Sequence, residues 1–159
     1  MKYISILLIA VSIVAALTFA GSEKGDLRIA YVDIAKATDG YVKMKQLNEE
    51  YKKDVAFYKE KLQKLEKEIE NLKKSGASQE EINKKQEELI QKKRLYEGLI
   101  QQEYQPKIQQ ILQEVVQKAK DFAKLMGYDV LLTNQGAVYA SERVDVTDEF
   151  IEYLNSGGK

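Results

Sequence analysis

Apolar residues return every three or four positions over most of the chain, with short strand-like stretches before and after. Met44, Leu47, Tyr51, Val55, Tyr58, Leu62, Leu65, Ile69 and Leu72 are separated by steps of 3, 4, 4, 3, 4, 3, 4 and 3. That spacing is a coiled-coil seam with one surplus four-residue step near Tyr51, where the supercoil is expected to unwind locally. Lys, Glu and Gln fill the faces between, in opposite-charge pairs such as Glu60 and Lys64, the pattern of a solvated helix surface.

Ser75-Gly76-Ala77-Ser78 interrupts the first helix, and Gly76 suits a left-handed C-terminal position. Ser78 followed by Glu81 is a capping box, so a second helix starts near Gln79. Its stripe runs Ile82, Leu89, Tyr96, Ile100, Tyr104, Ile108, Ile111, Val115, Ala119, Phe122 and Met126, with Gln86 and Lys93 in the seam. Beyond Pro106 the residues Leu112, Val116, Ala123 and Leu125 widen it, as expected of a helix entering a core. Pairing the helices back from the tip sets Tyr41 opposite about Leu112, and Pro106 opposite Leu47. Pro106 removes one helical amide and predicts a bend at the level of the surplus step.

Leu27 to Asp33 reads as a strand with Leu27, Ile29 and Tyr31 on one face and Ala30 and Val32 on the other. Ile34 to Gly40 reads as a turn or one helical turn. Tyr128 to Thr133 predicts a second strand, with Asn134-Gln135-Gly136 turning the chain into a return strand over Ala137 to Ala140. Thr147 is the expected N-cap of a short closing helix with Phe150, Ile151 and Leu154 on its apolar face. The fold class is therefore α+β, a long antiparallel coiled-coil hairpin on a small β body. The hairpin arm covers residues 41–112 with its tip at 75–78. The body takes 21–40 and 127–159, joined by 113–126 of the second long helix. Three short strands leave open sheet edges, and an arm of about 34 residues, roughly 50 Å long, is poorly stabilised alone. An obligate homo-oligomer assembled through the body follows, with Leu27, Ile29, Tyr31, Val130, Leu132 and Val138 as its candidate contacts.

Residues 1–20 read as a cleaved signal peptide: Lys2, an apolar run from Ile4 to Leu17, then Thr18-Phe19-Ala20. No cysteine follows the run, which argues against a lipid-anchored lipoprotein. Without Lys2 the chain carries 24 basic and 25 acidic residues, which gives no reason to expect a nucleic-acid partner. It has no Cys, His or Trp and a single Pro. Disulfides, the usual zinc ligands, thiol nucleophiles and an imidazole base are all unavailable, so no catalytic, cofactor or metal site is expected. An enzyme would need a site made from Asp, Glu, Lys and Tyr alone; candidates such as Asp33 and Asp129 sit at strand positions, but nothing in the sequence pairs them. No glycine-rich phosphate cradle is present.

The exported start, the strand Ile29-Ala30-Tyr31-Val32-Asp33, the charged helical hairpin, Tyr128-Asp129-Val130-Leu131-Leu132 and the closing Val144 to Phe150 together resemble the Skp/OmpH family of periplasmic chaperones. The resemblance implies a trimer with a β-barrel-like body and three arms around a cavity. It also implies a periplasmic role holding unfolded outer-membrane proteins, without ATP. Well-known members are strongly basic, whereas this chain is near neutral, so contact with membrane or lipopolysaccharide has little to rest on. Apolar residues off the seam, Phe57, Leu95 and Leu99, are the candidate client contacts. At the tip, Lys73, Lys74, Lys84, Lys85, Lys92, Lys93 and Arg94 face only Glu80, Glu81, Glu87 and Glu88, and the first four of these lysines are the electrostatic candidates. The competing reading is an exported coiled-coil spacer or adaptor that binds one fixed, folded partner.

Overall fold

A computed structural model describes residues 26–157. The signal peptide at 1–20, the linker up to Gly25 and the last two residues lie outside the described residues. Strand β1 (Ile29–Val32) leads into α1 (Ile34–Gly40), then α2 (Val42–Lys74) and α3 (Gln79–Met126). Strand β2 (Val130–Thr133), a short 3-10 turn (Glu142–Val144) and α4 (Thr147–Asn155) close the chain. The stretch read as a single turn is a full helix because Asp33 caps it, its Oδ1 accepting from the Lys36 amide at 3.0 Å.

The two strands pair in parallel, Ile29 with Val130 through Val32 with Thr133, and the whole of α1, α2 and α3 forms the crossover between them. This corrects the expected hairpin. Gly136 and Ala137 both donate to the Thr133 carbonyl, at 2.9 and 3.0 Å, and no ladder follows. Ala137 to Ala140 form no strand, and Val138 and Tyr139 stand 108% and 83% exposed. A β-branched and an aromatic residue favour a strand only where a neighbour covers them, and this chain supplies none. The far side of β1 carries a single bridge, Tyr31 to Asp145, with the Val146 amide donating to the Tyr31 carbonyl at 2.9 Å.

Thr147 is also corrected: it is the first helical residue, and Val146 holds the N-cap position. The Thr147 amide donates to Asp145 Oδ1, so the aspartate two residues back supplies the cap. The threonine hydroxyl is freed to accept from the Asp33 amide at 2.9 Å, which pins α4 to the end of β1.

Along α2 and α3 partner numbers run in opposite directions: Glu68 meets Lys85, Tyr58 stacks on Tyr96, Tyr51 meets Tyr104 and Tyr41 meets Glu114. Tyr41 thus lies two residues beyond the expected level of Leu112. The seam is sealed near the tip by Ile69 and Ile82 and near the base by Met44, Leu47 and Ile111, all buried. Between them it is open: Tyr51 is 42% exposed and Val55 37%. The cause is in the spacing. Leu47, Tyr51 and Val55 follow in four-residue steps, and so do Tyr96, Ile100, Tyr104 and Ile108. Each such step overshoots a full turn by about 40°, so both stripes rotate away from the shared seam. Helix α3 runs without interruption through Pro106.

The main core lies where α3 meets α1 and α4. Val32, Val115 and Phe150 are fully buried, and Phe122 packs against the rings of Phe150 and Tyr153, each at 5.4 Å. The second half of α3 is buried as expected, but only along Ile111, Val115, Ala119 and Phe122. Its widening residues are not covered: Val116 is 47% and Leu125 65% exposed, because one chain has too little body to reach them.

Candidate functional site

Three surfaces carry apolar side chains that a folded chain would normally hide. The first is the outer face of the sheet. In a parallel pair, residues in register point to one side. Ala30 and Val32 point inward and are buried; Ile29 and Tyr31 point outward beside Val130 and Leu132. Ile29 and Leu132 are exposed, while Tyr31 and Val130 are half-covered. Leu27 extends this face and is 64% exposed. Five of the six predicted body contacts therefore gather at this face. Val138 does not belong to the sheet.

The second surface is the side of the helical pair. Phe57, Leu95 and Leu99 are 54%, 51% and 41% exposed, at the level of the Tyr58–Tyr96 ring stack (4.5 Å between centroids). The Lys61 ammonium lies over the Phe57 ring, 4.6 Å from its centroid, a cation–π contact at an exposed site.

The third surface is one the sequence did not mark. Where the seam opens, two grooves of ≈ 440 and ≈ 330 Å³ lie end to end and share Tyr51, Glu97 and Ile100. The larger is floored by Ile100, Tyr104 and Ile108 and rimmed by Gln101, Gln105 and Gln109. The smaller is walled by Val55, Tyr58, Leu62 and Tyr96 with Lys59 and Lys93 beside them. Phe57, Leu95 and Leu99 line neither groove. Tyr104 is buried, and its hydroxyl donates to Asp54 Oδ2 at 2.7 Å; burial first, then the aspartate, raises its pKa. The surplus four-residue steps were the available signal, but their repetition on both helices is what opens the seam.

The tip is built as expected. The Glu81 amide donates to Ser78 Oγ at 3.3 Å, and the Ser78 amide donates to Glu81 Oε2 at 3.1 Å. Gly76 adopts φ +74° and closes α2. The tip charge is partly spent: Lys85 reaches Glu68 and Glu88 at 2.9 and 3.0 Å, and Lys74 reaches Glu70 at 2.6 Å. Lys73 and Lys84 are exposed. At the root of the helices, Glu114 accepts from the Tyr41 hydroxyl (2.9 Å) and from Lys43 (2.8 Å). Lys43 chiefly holds the Glu114 carboxyl below its usual range, and burial chiefly raises the Tyr41 phenol.

The two strand-end aspartates have structural work. Asp33 caps α1, and Asp129 Oδ2 accepts from the Arg28 amide at 2.8 Å, which aligns the strand starts. They do not converge on a shared site. Among the described residues no group of three or more carboxylates is placed to hold a metal ion, and no helix is long and apolar enough to cross a membrane.

No curated protein matches the chain. A crystal structure of a candidate outer membrane chaperone (OmpH-like) from Caulobacter crescentus is similar in fold, with a TM-score of 0.55. Identity is 17%, and the match covers 82% of this chain and 85% of that one. The profile of the family described as outer membrane protein (OmpH-like) matches residues 28–154, from the Arg28–Asp129 contact that aligns the strands to Leu154 in the core. This chain belongs to the OmpH-like outer membrane protein family.

Proposed function

We propose that this protein is an ATP-independent periplasmic holdase, a homotrimer whose antiparallel helical arms surround a cavity that keeps unfolded outer-membrane proteins from aggregating. The observation that carries this is the set of exposed apolar side chains on a charged helical pair, Phe57, Leu95 and Leu99 beside the open seam. An unfolded client needs shielding from other chains, and weak, distributed apolar contacts supply it without a tight pose. Membership of the OmpH-like family supports the same reading, as does the resemblance in fold to a candidate outer membrane chaperone. The protein acts as a binding surface and has no catalytic step. Residues 1–20 direct its export.

The bare outer face of the sheet supports assembly through the body. A large exposed apolar patch marks an interaction surface, and Leu27, Ile29 and Leu132 lie beside open strand edges. Val138 joins that interface from its loop. The arms leave the body near Pro106, where the missing amide lets α3 bend.

Dilution of a urea-unfolded outer-membrane barrel into the purified protein, followed by light scattering, tests the chaperone. Suppression at one trimer per client is expected, and none would sink the proposal. An adaptor would instead bind one folded partner and leave scattering unchanged. Sedimentation equilibrium tests the assembly: a monomer mass at micromolar concentration refutes the body interface.

A further inference from the structure

We infer that the groove floored by Ile100, Tyr104 and Ile108 and rimmed by Gln101, Gln105 and Gln109 takes an extended, uncharged client segment whose apolar and polar residues alternate. This rests on the holdase reading and adds the kind of segment that the arm selects.

Floor and rim share one repeat. Both advance four residues at a time along α3, which is about 6 Å per step. Same-face residues of an extended strand recur every 6.6–6.8 Å or so. Over three rungs the two repeats part by only about 1.5 Å, within the reach of a glutamine side chain. Alternate apolar side chains of such a segment fall on the floor residues, and its backbone lies along the rim.

The rim separates an extended occupant from a helical one. Each glutamine amide both donates and accepts, as a peptide group does. A helix has already satisfied its backbone internally and offers the rim nothing. An extended, unpaired segment presents an N–H and a C=O at every residue. Glutamines serve it without regard to side-chain identity, which suits a chaperone of many clients. Tyr104 serves as floor alone, because its hydroxyl is committed to Asp54. The floor is apolar and Glu97 is the one charged residue lining the groove, so a charged side chain set on the floor would lose its hydration with little in return. Transmembrane strands of outer-membrane barrels have this alternation by construction.

Two fluorescent peptides of identical composition provide the test, one alternating Val with Thr and the other grouping its Val residues in one block. Anisotropy titration of the chain starting at residue 21 should show roughly tenfold tighter binding of the alternating peptide, because it sets about twice as many valines on the apolar floor as the blocked one does. The triple change Gln101→Ala, Gln105→Ala and Gln109→Ala should weaken binding of the alternating peptide roughly tenfold, as the loss of a few backbone hydrogen bonds implies, and circular dichroism should stay constant because alanine favours helix. Equal affinity for both peptides, or an affinity that the substitutions leave unchanged, overturns the inference. A loss of assembly mass in the triple variant would show the groove to be filled by a second copy, and also overturns it. Light scattering with the full-length barrel keeps the two levels apart. Suppression without peptide preference defeats this inference alone, whereas no suppression defeats the holdase reading.

Discussion

The base and the middle of the arm use the same residue types to opposite ends. In the base, Phe122, Phe150 and Tyr153 lie within ring contact, and Phe150 is fully buried. In the arm, Tyr58 stacks on Tyr96 and Tyr51 meets Tyr104 edge-on, yet Tyr51 remains 42% exposed. Three elements converge in the base and can enclose a ring. Two helices alone enclose only Tyr104, and their rotating stripes leave Tyr51, Tyr58 and Tyr96 partly open. Aromatic residues therefore hold the base together, while in the arm they build a surface. The chain spends its packing at one end and keeps its apolar area available along the other.

The largest expected effect breaks the base. Phe150→Ala should cost about 3–5 kcal/mol, the usual loss for a fully buried aromatic in a core that cannot collapse around the gap. Urea unfolding followed by far-ultraviolet circular dichroism reads it, and a cost below about 1 kcal/mol would mean that the base is not the stabilising unit. Next comes the tip, where Ser78→Ala removes the acceptor for the Glu81 amide and should cost about 1 kcal/mol. Hydrogen exchange should show the loss confined to the first turn of α3, with the base amides unchanged.

How far the chain could be read from its sequence divides along the same line. The arm was legible because helix periodicity and the Ser78/Glu81 box are local, and the expected start of the second helix at Gln79 is the observed one. The face of β1 was legible in its alternation, though not which side is inward. The β1–β2 pairing was not legible. Its partners are a hundred residues apart, and a plausible local turn at Asn134-Gln135-Gly136 suggested a hairpin that no ladder bond realises. Of the proposed client contacts, Phe57, Leu95 and Leu99 were legible as apolar positions off the seam. The glutamine-rimmed groove could not, because Gln101, Gln105 and Gln109 look like ordinary solvated positions until both stripes are seen to rotate together.

A smaller effect probes the joint between base and arm. Lys43 depresses the pKa of Glu114, so the contribution of the pair is fully present above the ordinary carboxylate range, near pH 4, and is lost as the pH falls through the depressed folded value. The raised Lys43 pKa keeps the pair whole until the lysine range is reached on the alkaline side. The melting-temperature difference between the native chain and Glu114→Gln should be flat around neutrality and vanish in acid. A difference that grows below pH 4 or so would have the wrong sign.

The smallest effect on stability is the sharpest test of the contrast. Phe57, Leu95 and Leu99 are each more than 40% exposed, so changing all three to Ser removes little buried area. Each change should shift stability by no more than about 0.5 kcal/mol, and the Phe57 change also releases Lys61 from its ring. Aggregation suppression should nevertheless fall severalfold, because the triple variant loses contact area only toward a client. If stability falls as much as in Phe150→Ala, these residues pack within the assembly and belong with the base. If neither stability nor suppression moves, the client surface lies in the grooves alone. Only a stable fold with lost suppression places the work on the arm's side and the support in the base.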